Sequence, residues 1–599
     1  MTRILYITIL LLLLPHTIQA SFVEGGKREF PILCNGVPCA IDSVNRGLYC
    51  SVKPVEGDSM KLVFSSNSIT YLRINYKRYN MGDTVKVVNS FRRTYKLYIG
   101  GKVQMWTLYL TSLPIVMIEA TRYEHEVYHH GYLNVIDPWK RTKNSVLFRQ
   151  FIGARIRGAY TAGLPKKPYA IKLWDSNREG KNVSVLGLMK DENLILDAMY
   201  NDKARMRNRL CYDIWNQIDS LPYEVSEGHS KVNGTQGRYV EVFVDGAYNG
   251  VYCITDKINR KKLDLVKTES DANGKLKFHG VLYKATDWTN ETTFNNVDNN
   301  ANTTNTLGWR GWEQKYPDDS VQMANWNPLK ILLKFTTPAT NPNKTNFASL
   351  LRRKYYQQNL TNFMLMINLF NINDNHCKNT YVSFRDVNSA TSVALITPWD
   401  LDASLGRNWD GGILNSFGFT NQITACGLFR RLFDGGPYYY RENFRDTWIR
   451  LKNSVLSPDS INARILAYKE LLYKSGAWGR EMTRWPGSME GINTETSYMM
   501  DWYARSVNFT DSVLADFPSD INDVRTLPDG NLYATTEDGC IIVNSQSGSA
   551  KIAIYSSDGA LIESADAQMP YRSRQLENGV YVVNVKTGNA TLRKKVLIR

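Results

Sequence analysis

The sequence predicts an α+β protein with a β-sandwich at each end and a mixed α and β region between them. Residues 21–112 and 518–599 consist of short alternating stretches separated by Gly, Asn and Asp turns, a pattern typical of sandwiches. The region between them alternates strand-like stretches with segments of helical period. At 43% hydrophobic and 12% aromatic residues, the chain can bury packed cores, which excludes a disordered protein. Its 599 residues allow three or four domains.

The first twenty residues have the organisation of a secretory signal peptide. Arg3 precedes an apolar stretch over residues 4–14, and the small Ala20 follows, so we expect cleavage after Ala20. The apolar stretch falls short of the roughly 20 residues that a membrane-spanning helix needs, and we expect no transmembrane segment in the mature chain. Export permits disulfides, and Cys34 could pair with either Cys39 or Cys50.

Positive charge is densest in the first β domain. The formal net charge of the chain is +16, and residues 21–112 hold thirteen basic and six acidic residues, whereas residues 518–599 hold nine of each. We expect residues 21–112 to bind an acidic partner or a glycan, with a merely soluble basic surface as the alternative. We expect no nucleic-acid partner.

The middle region alternates between the two types of secondary structure. Residues 154–174 predict two strands, and residues 194–217 carry a helical period. Residues 239–259 predict a hairpin, because Asp245-Gly246 separates two alternating apolar stretches. Residues 285–308 are rich in Asn and Thr and predict a loop. Further helices are expected over residues 347–370 and 460–517.

Asp374 and Asn379 form the first acidic motif that could carry chemistry. The sequence has no Gly-x-Ser-x-Gly elbow, phosphate loop or His-Glu-x-x-His motif. Asp374 and Asn379 follow an apolar helix at the Asp-x-x-x-x-Asn spacing of protein kinases. There the Asp orients or deprotonates the attacking hydroxyl and the Asn holds a magnesium ion. A plain turn at the end of the helix is the alternative.

Asp400 and Asp402 form the second motif, directly after the apolar strand Val393–Ile396. Residues two apart on a strand share a face, so both carboxylates could hold one cation. The alternative is that Asp402 caps a helix while Asp400 is solvated. Basic residues of the 154–174 hairpin offer partners for phosphate groups, since a strand lysine contacts phosphates in kinases.

Taken together, the motifs resemble those of the CotH kinase family, which is named after a spore-coat protein kinase. The resemblance covers about residues 113–517 and rests on several motifs in the same order. They are Arg157-Gly158 with Pro165-Lys166-Lys167-Pro168-Tyr169-Ala170-Ile171-Lys172, Asp202 to Leu210, Tyr239 to Ile258, Asp374 with Asn379-Thr380-Tyr381, and Pro398-Trp399-Asp400-Leu401-Asp402-Ala403-Ser404-Leu405-Gly406.

The resemblance implies an atypical two-lobed protein-kinase-like fold that binds ATP with Mg²⁺ or Mn²⁺ and phosphorylates Ser or Thr of a protein substrate. It implies catalytic roles for Asp374 and Asp402, and metal ligands at Asn379 and Asp400. The residues it implies for the nucleotide are Arg157, Lys167, Lys172 and Asp256, the last standing where the family usually has Glu.

The C-terminal block resembles the sorting domain of proteins exported by type IX secretion. The resemblance rests on Leu576 to Val585, followed by a turn and a last strand from Arg593 to Ile598. It implies an immunoglobulin-like β-sandwich, a partner in the type IX secretion machinery, and a secreted protein or one on the outer-membrane surface. An ordinary terminal β domain is the alternative.

The sequence thus predicts a secreted or cell-surface atypical protein kinase. The alternative function is that of a catalytically degenerate kinase fold acting as a surface adhesion or glycan-binding module, with residues 21–112 as its contact surface.

Overall fold

A computed structural model of the chain describes residues 22–23, 27–28, 30–298, 305–433, 438–515, 517, 532–545, 548–556, 560–587 and 591–598. The expected signal peptide lies outside these residues. The chain divides into two compact units, residues 1–431 with 454–511 and residues 432–453 with 512–599. The mixed α+β class is confirmed. Within the described residues, no helix combines the length and the hydropathy needed to cross a bilayer.

The first unit begins with two β-sheets that enclose one apolar core. One sheet has the strand order β10-β7-β3-β4 and the other β5-β6-β12-β11-β8-β9. Alternation decides which side chains face inward, as in β7, where Met60, Leu62 and Phe64 are buried between exposed neighbours. The strands are β1 (Phe22–Val23), β2 (Lys27–Arg28), β3 (Leu33–Cys34), β4 (Val37–Pro38), β5 (Ala40–Asp42), β6 (Gly47–Ser51), β7 (Ser59–Ser65), β8 (Tyr71–Ile74), β9 (Lys77–Asn80), β10 (Thr84–Val88), β11 (Thr94–Ile99) and β12 (Trp106–Thr111).

A closed barrel of seven strands follows, in the order β13-β14-β15-β16-β17-β19-β18. Its interior is filled by aliphatic side chains such as Ile152, Ile171 and Leu173. The predicted hairpin is confirmed, because Asp245 and Gly246 both have positive φ between β18 and β19. The strands are β13 (Ile115–Ala120), β14 (His129–Ile136), β15 (Leu147–Ile156), β16 (Tyr169–Trp174), β17 (Asn193–Asp197), β18 (Gly237–Val244) and β19 (Ala247–Thr255).

A five-stranded sheet with the order β23-β24-β22-β25-β26 completes the β structure of the first unit. Its partner helix α4 has buried side chains on every face, as expected of a helix in the middle of a core. The strands beyond the barrel are β20 (Glu269–Ser270), β21 (Leu276–Lys277), β22 (Val281–Ala285), β23 (Gly308–Trp309), β24 (Trp312–Tyr316), β25 (Thr380–Phe384) and β26 (Leu395–Pro398).

The helices agree in part with the sequence patterns. Residues 194–217 are not one helix, because Asn193–Asp197 closes the barrel as β17 and only Arg207–Ile218 is helical. The helices are α1 (Arg207–Ile218), α2 (Asn327–Thr336), α3 (Lys344–Lys354), α4 (Gln357–Leu369), α5 (Asn421–Thr424), α6 (Gly427–Phe433), α7 (Tyr438–Lys452), α8 (Pro458–Lys474), α9 (Ala477–Arg484) and α10 (Ile492–Leu514).

The second unit contains α7 and two β-sheets, β27-β28-β31 and β30-β29-β32-β33. The two sheets share an apolar core that includes Ile541, Ile554 and Val583. The last strand pairs with β32 along its whole length. The strands are β27 (Tyr533–Glu537), β28 (Cys540–Asn544), β29 (Ser549–Ser556), β30 (Leu561–Gln568), β31 (Tyr571–Arg572), β32 (Gly579–Lys586) and β33 (Thr591–Ile598).

A buried ion cluster fastens α9 to the barrel within the first unit. The Glu481 carboxylate accepts from the Lys166 ammonium at 2.7 Å and from the Arg205 Nε at 2.8 Å. Its second oxygen accepts from the amide of Val251 at 2.8 Å. All three charged side chains are at most 1% exposed, and burial is the main reason why the pKa of Lys166 falls to about 8. Breaking such a cluster leaves an uncompensated buried charge.

Gly250 provides the space that Glu481 occupies. Its φ is +99°, and a Cβ atom at this position would lie 2.1 Å from Glu481 Oε2. We therefore expect Gly250→Ala to destabilise the first unit by about 3 kcal/mol or more, because it adds a steric clash inside a charged cluster to backbone strain. Thermal and urea unfolding of the full chain measures the change.

Gly228→Ala is the matched control, since Gly228 also has a positive φ, +74°, but its Cβ would have nothing within 4 Å. We expect about 1 kcal/mol of destabilisation from backbone strain alone. Equal losses in the two variants would contradict the role given to the contact between Gly250 and Glu481.

Candidate active site

The five-stranded sheet brings the two acidic motifs together. β25 lies between β22 and β26, in a register that places Lys284 opposite Tyr381. Asn379 comes just before β25, and Asp400 follows β26 by two residues. Because β25 and β26 are antiparallel, the start of β25 and the end of β26 lie next to each other at the same end of the strands. Asn379 and Asp400 therefore lie side by side.

Both residues have backbone conformations that L-residues adopt infrequently. Their φ angles are +53° for Asn379 and +61° for Asp400, in the left-handed region where Asn and Asp are enriched. Asn379 Nδ2 lies 3.4 Å from Asp400 Oδ2, and the amide of Asp400 donates to the buried hydroxyl of Tyr212 at 3.0 Å. The Asp400 side chain is thus held in place while remaining exposed to a ligand. Such conformations cluster at functional sites.

Asp374 reaches the same place from the end of α4. It lies in the short 3-10 helix Asn373–His376, where it is partly buried. Burial raises the pKa of Asp374, Lys378 opposes that shift, and the charge of Asp400 adds to it. The two carboxylates are therefore near enough to interact.

Two further carboxylates lie beside Asp400. Burial raises the pKa of Asp402 well above its ordinary range, and repulsion from Asp400 and Asp197 raises it further. Asp197, at the end of β17, has a pKa raised by burial and by Asp400 and lowered by an amide hydrogen bond from Asn208 at 2.8 Å. A proton or a cation stabilises such a group of carboxylates.

The donor atoms fit a hard divalent cation bound together with non-protein ligands. Among the described residues, no three His, Cys, Asp or Glu side chains are arranged to hold a metal on their own. Asn379 and Asp400 offer an amide oxygen and a carboxylate, once the Asn379 amide turns its oxygen inward. Mg²⁺ is ordinarily bound by one or two carboxylates plus waters and substrate phosphates, so the pair suits that ion.

Two cations face these carboxylates. The Arg157 guanidinium, just beyond β15, lies 5.5 Å from the ring centroid of Trp399, an attractive cation–π arrangement. Lys284 on β22 has a pKa lowered to about 8, by burial first and by Arg157 second, while Asp400 raises it. Arg157 comes from the barrel and Lys284 from the five-stranded sheet, so the site lies where these two parts of the first unit meet.

The other residues implied for the nucleotide are engaged with different groups. Lys167 Nζ donates to the carbonyl oxygen of Ala162 at 2.8 Å. Lys172 lies between two residues of β16 that belong to the barrel core, and its ammonium is 3.6 Å from the Glu192 carboxylate. Buried Asp256 pairs with Lys262 at 2.8 Å and accepts from the amide of Gln236. The structure thus brings together Arg157, Asp374, Asn379, Asp400 and Asp402 and places Lys167, Lys172 and Asp256 in other contacts.

Lys284, Asp197 and Tyr212 are the site residues that sequence reasoning missed. Lys284 is the one charged residue of the apolar strand Val281–Ala285, which is a weak signal. Asp197 and Tyr212 belong to the segment that the sequence predicted as one helix, and the position of Asp197 depends on β17 closing the barrel. Only the three-dimensional arrangement identifies these residues.

A buried arginine fixes the loop that follows Asp402. Arg207, at the start of α1, pairs with Asp202 at 2.7 Å and with Glu495 of α10 at 2.6 Å. Its Nε donates to the carbonyl oxygen of Ser404 at 3.0 Å. Arg407, at the end of the loop, donates to both oxygens of Glu495. The loop is therefore fastened at both ends to α1 and α10.

Comparison with known protein families identifies the central region. Residues 154–508 match the CotH kinase protein family, and because they make up more than half of the chain, the protein belongs to this family. Residues 536–599 match the secretion system C-terminal sorting domain, which marks the chain for secretion. Both resemblances expected from the sequence are confirmed.

Other comparisons add little. No curated protein matches the sequence. Among solved structures, the twitchin kinase region from C. elegans is 8% identical, with 91% of this chain and 98% of that chain covered and a TM-score of 0.15. The BSP domain of a biofilm associated protein is 9% identical, with 81% of each chain covered and a TM-score of 0.11.

The lowered pKa of Lys284 predicts a pH dependence of anion binding at this site. The ammonium is charged below about pH 8 and loses its proton above it, so we expect the affinity for ATP to fall, by up to about tenfold per pH unit, as pH rises beyond 8. Lys284→Arg keeps its charge at every pH used and should remove most of this decline. Isothermal titration with ATP and Mg²⁺ between pH 6.5 and 9.5 measures it.

Lys334→Arg is the control, because Lys334 lies in the last turn of α2 and is exposed. It should leave the wild-type pH profile unchanged. A decline above pH 8 that persists undiminished in Lys284→Arg would show that another group controls it.

Proposed function

We propose that this protein is a secreted or cell-surface kinase that transfers the γ-phosphoryl group of ATP to a Ser or Thr hydroxyl of a protein substrate. The observation that carries the proposal is the convergence of three acidic or amide side chains and two cations at one place. They are Asp374, Asn379, Asp400, Arg157 and Lys284. Phosphoryl transfer needs little more from a protein than positioning and charge stabilisation, and this set can supply both.

The position of the candidate site between two parts of the first unit supports the same proposal. The barrel β13–β19 would form one lobe of a kinase-like fold, and the five-stranded sheet with its helices would form the other. Arg157 lies at the end of a barrel strand, whereas Asn379 and Asp400 lie at the edge of the sheet. A nucleotide between the lobes would have Arg157 on one side, and Lys284 together with the metal ligands on the other.

Asn379 and Asp400 would hold the metal ion, which neutralises phosphate charge and orients the phosphates when it is bound. Arg157 and Lys284 would hold phosphate oxygens, since charge-assisted hydrogen bonds to phosphate are strong and guanidinium can bind in a bidentate manner. Lys167, Lys172 and Asp256 remain predictions for nucleotide binding. Asp402, on the buried side of Asp400, would help to set the charge of the cluster.

Asp374 would orient the substrate hydroxyl and accept its proton. In this step the hydroxyl oxygen forms a bond to the γ-phosphorus, the bond from that phosphorus to the bridging oxygen breaks, and ADP leaves. The raised pKa of Asp374 makes it a better proton acceptor than an ordinary carboxylate. Holding hydroxyl and phosphate in line removes much of the entropic barrier.

A direct assay tests this proposal. Purified mature protein is incubated with γ-labelled ATP, Mg²⁺ or Mn²⁺, and casein as a general protein substrate. We expect label on Ser or Thr, and a loss of kcat of about a hundredfold or more in Asp374→Asn and in Asp400→Asn. Asp374→Asn should still bind ATP, whereas Asp400→Asn should bind metal-nucleotide more weakly.

Asp410→Asn is the matched control, because Asp410 is an exposed carboxylate ten residues beyond Asp400. It should retain wild-type activity. Label transfer that survives undiminished in Asp400→Asn would refute the site assignment. An absence of both label transfer and any thermal shift with nucleotide would refute the kinase proposal itself.

A second candidate function, binding of an anionic glycan, is favoured by one face of the first sandwich. On this face, strands β8, β9 and β11 expose three cations beside tyrosine rings, and none of the three lies within 4 Å of a described carboxylate. Arg78 lies 4.0 Å from the ring centroid of Tyr71, and Lys96 lies 5.3 Å from that of Tyr76. The cations are Arg73, Arg78 and Lys96. Cations pair with sulfate or carboxylate groups, and aromatic rings pack on sugar rings.

Affinity chromatography on dextran sulfate tests this face. Arg73 and Arg78 are directly opposite each other, and we expect the double variant Arg73→Gln/Arg78→Gln to elute at clearly lower salt than wild type. The double variant Lys61→Gln/Lys86→Gln removes the same charge from an opposed, exposed pair on the other sheet and should elute like wild type. Equal shifts would indicate general charge attraction rather than a binding face.

A further inference from the structure

Three buried cysteines lie together in the core of the first sandwich. Cys39 and Cys50 are both 0% exposed, and their sulfur atoms are 3.0 Å apart. Cys34 is 1% exposed, and it lies near enough to Cys50 to help raise the pKa of the Cys50 thiol, which burial raises most. Three thiols can form only one disulfide, so the question is which two would form it in a chain that carries a secretion tail.

Strand register favours Cys39 and Cys50. The antiparallel pair β5–β6 places Ala40 opposite Tyr49, so the next residues outward, Cys39 and Cys50, are directly opposite each other. Opposed residues in antiparallel strands have Cα atoms about 4.5–5.5 Å apart, which is within the range that disulfides span. Only a small movement of the two sulfur atoms is needed to form the bond.

The pairing of β3 with β4 disfavours a bond between Cys34 and Cys39. Cys34 is opposite Val37 in the β3–β4 hairpin, and the amide of Cys39 donates to the carbonyl oxygen of Ile32 at 3.0 Å. Cys39 therefore pairs with Ile32, two residues before Cys34, so the two cysteines are not opposite each other. A bond from Cys34 to Cys50 would instead join the two sheets across the core, because β3 and β6 belong to different sheets.

We propose that Cys39 and Cys50 form a structural disulfide on export, and that Cys34 remains a buried thiol beside it. Each of the two thiols loses one proton and one electron as the sulfur–sulfur bond forms. The electrons pass to the disulfide of a thiol oxidase of the exporting compartment, which becomes a dithiol by thiol–disulfide exchange. A metal site is the other use of clustered cysteines, but no three-ligand metal group exists within the described residues.

Burial indicates when the bond forms. Burial raises the pKa of both Cys39 and Cys50, and the thiolate is the form that reacts. In the folded domain both sulfurs are inaccessible to an oxidase. The exchange therefore takes place before the sandwich core closes, and the folded protein then protects the bond from reduction.

Peptide mapping of the full-length exported protein tests the proposal. Free thiols are alkylated under denaturing, non-reducing conditions before digestion with trypsin. Cys34 and Cys39 lie in one tryptic peptide, between Arg28 and Arg46, so variants are needed to tell them apart. We expect that peptide to be linked to the one with Cys50 both in wild type and in Cys34→Ser, with one alkylated thiol in the wild-type pair.

Cys39→Ser and Cys50→Ser should each lose the link and lower the Tm of the sandwich by about 5 °C or more. Cys34→Ser, the matched control, should keep both the link and a near-wild-type Tm in the absence of reductant. A link that is lost in Cys34→Ser, or three alkylated thiols in wild type, would overturn the proposal. Should Cys39→Ser fail to fold, the maps of wild type and Cys34→Ser still decide.

Discussion

The buried guanidinium of Arg207 is the interaction on which the candidate site most depends. It is 0% exposed and would be strongly destabilising if left without partners. Asp202 and Glu495 neutralise it, and the carbonyl oxygen of Ser404 accepts from its Nε. Since Ser404 follows Asp402 by two residues, this arginine holds the loop that positions the acidic motif.

A second arginine two residues earlier extends the same principle. Arg205 binds Glu481 of α9, whereas Arg207 binds Glu495 of α10. One short segment at the start of α1 thus fastens two helices that are distant in sequence. The guanidinium fork suits this role, since it presents several donors in a fixed plane. Arg205 also donates to the carbonyl oxygens of Met199, Tyr200 and Asp202 and to the hydroxyl of Ser488.

These networks explain why the sequence motifs occur together. The segment with Asp202 and Arg207 contacts the loop after Asp402, and the segment with Gly250 and Val251 contacts Glu481. Motifs that are hundreds of residues apart are therefore parts of one packed structure. The family resemblance could be recognised from the sequence, but the physical connection between its motifs could not.

Local patterns predicted what depends on local structure. The alternation of the strands and the Asp245-Gly246 turn each follow from short-range rules, whereas a shared role for Asn379 and Asp400 was implied only by the family resemblance. The strand over residues 193–197 could not be predicted in this way. It is stabilised by pairing of β17 with β16 and β19, and such tertiary pairing overrides a helical period. Lys284 and Asp197 joined the site only through this long-range packing.

The charge interactions of the site can be explained only from the three-dimensional arrangement of its residues. Burial, with repulsion from Asp400, raises the pKa of Asp197 and of Asp402, while burial, with repulsion from Arg157, lowers the pKa of Lys284. Asp197 and Asp402 on one side and Lys284 on the other thus keep shifted pKa values although they lie close together. A divalent cation stabilises the first set and a polyphosphate stabilises the second. The metal complex of a nucleoside triphosphate, the ligand of the proposed kinase reaction, would provide both charges in one molecule, whereas either component alone would stabilise only one of the two sets.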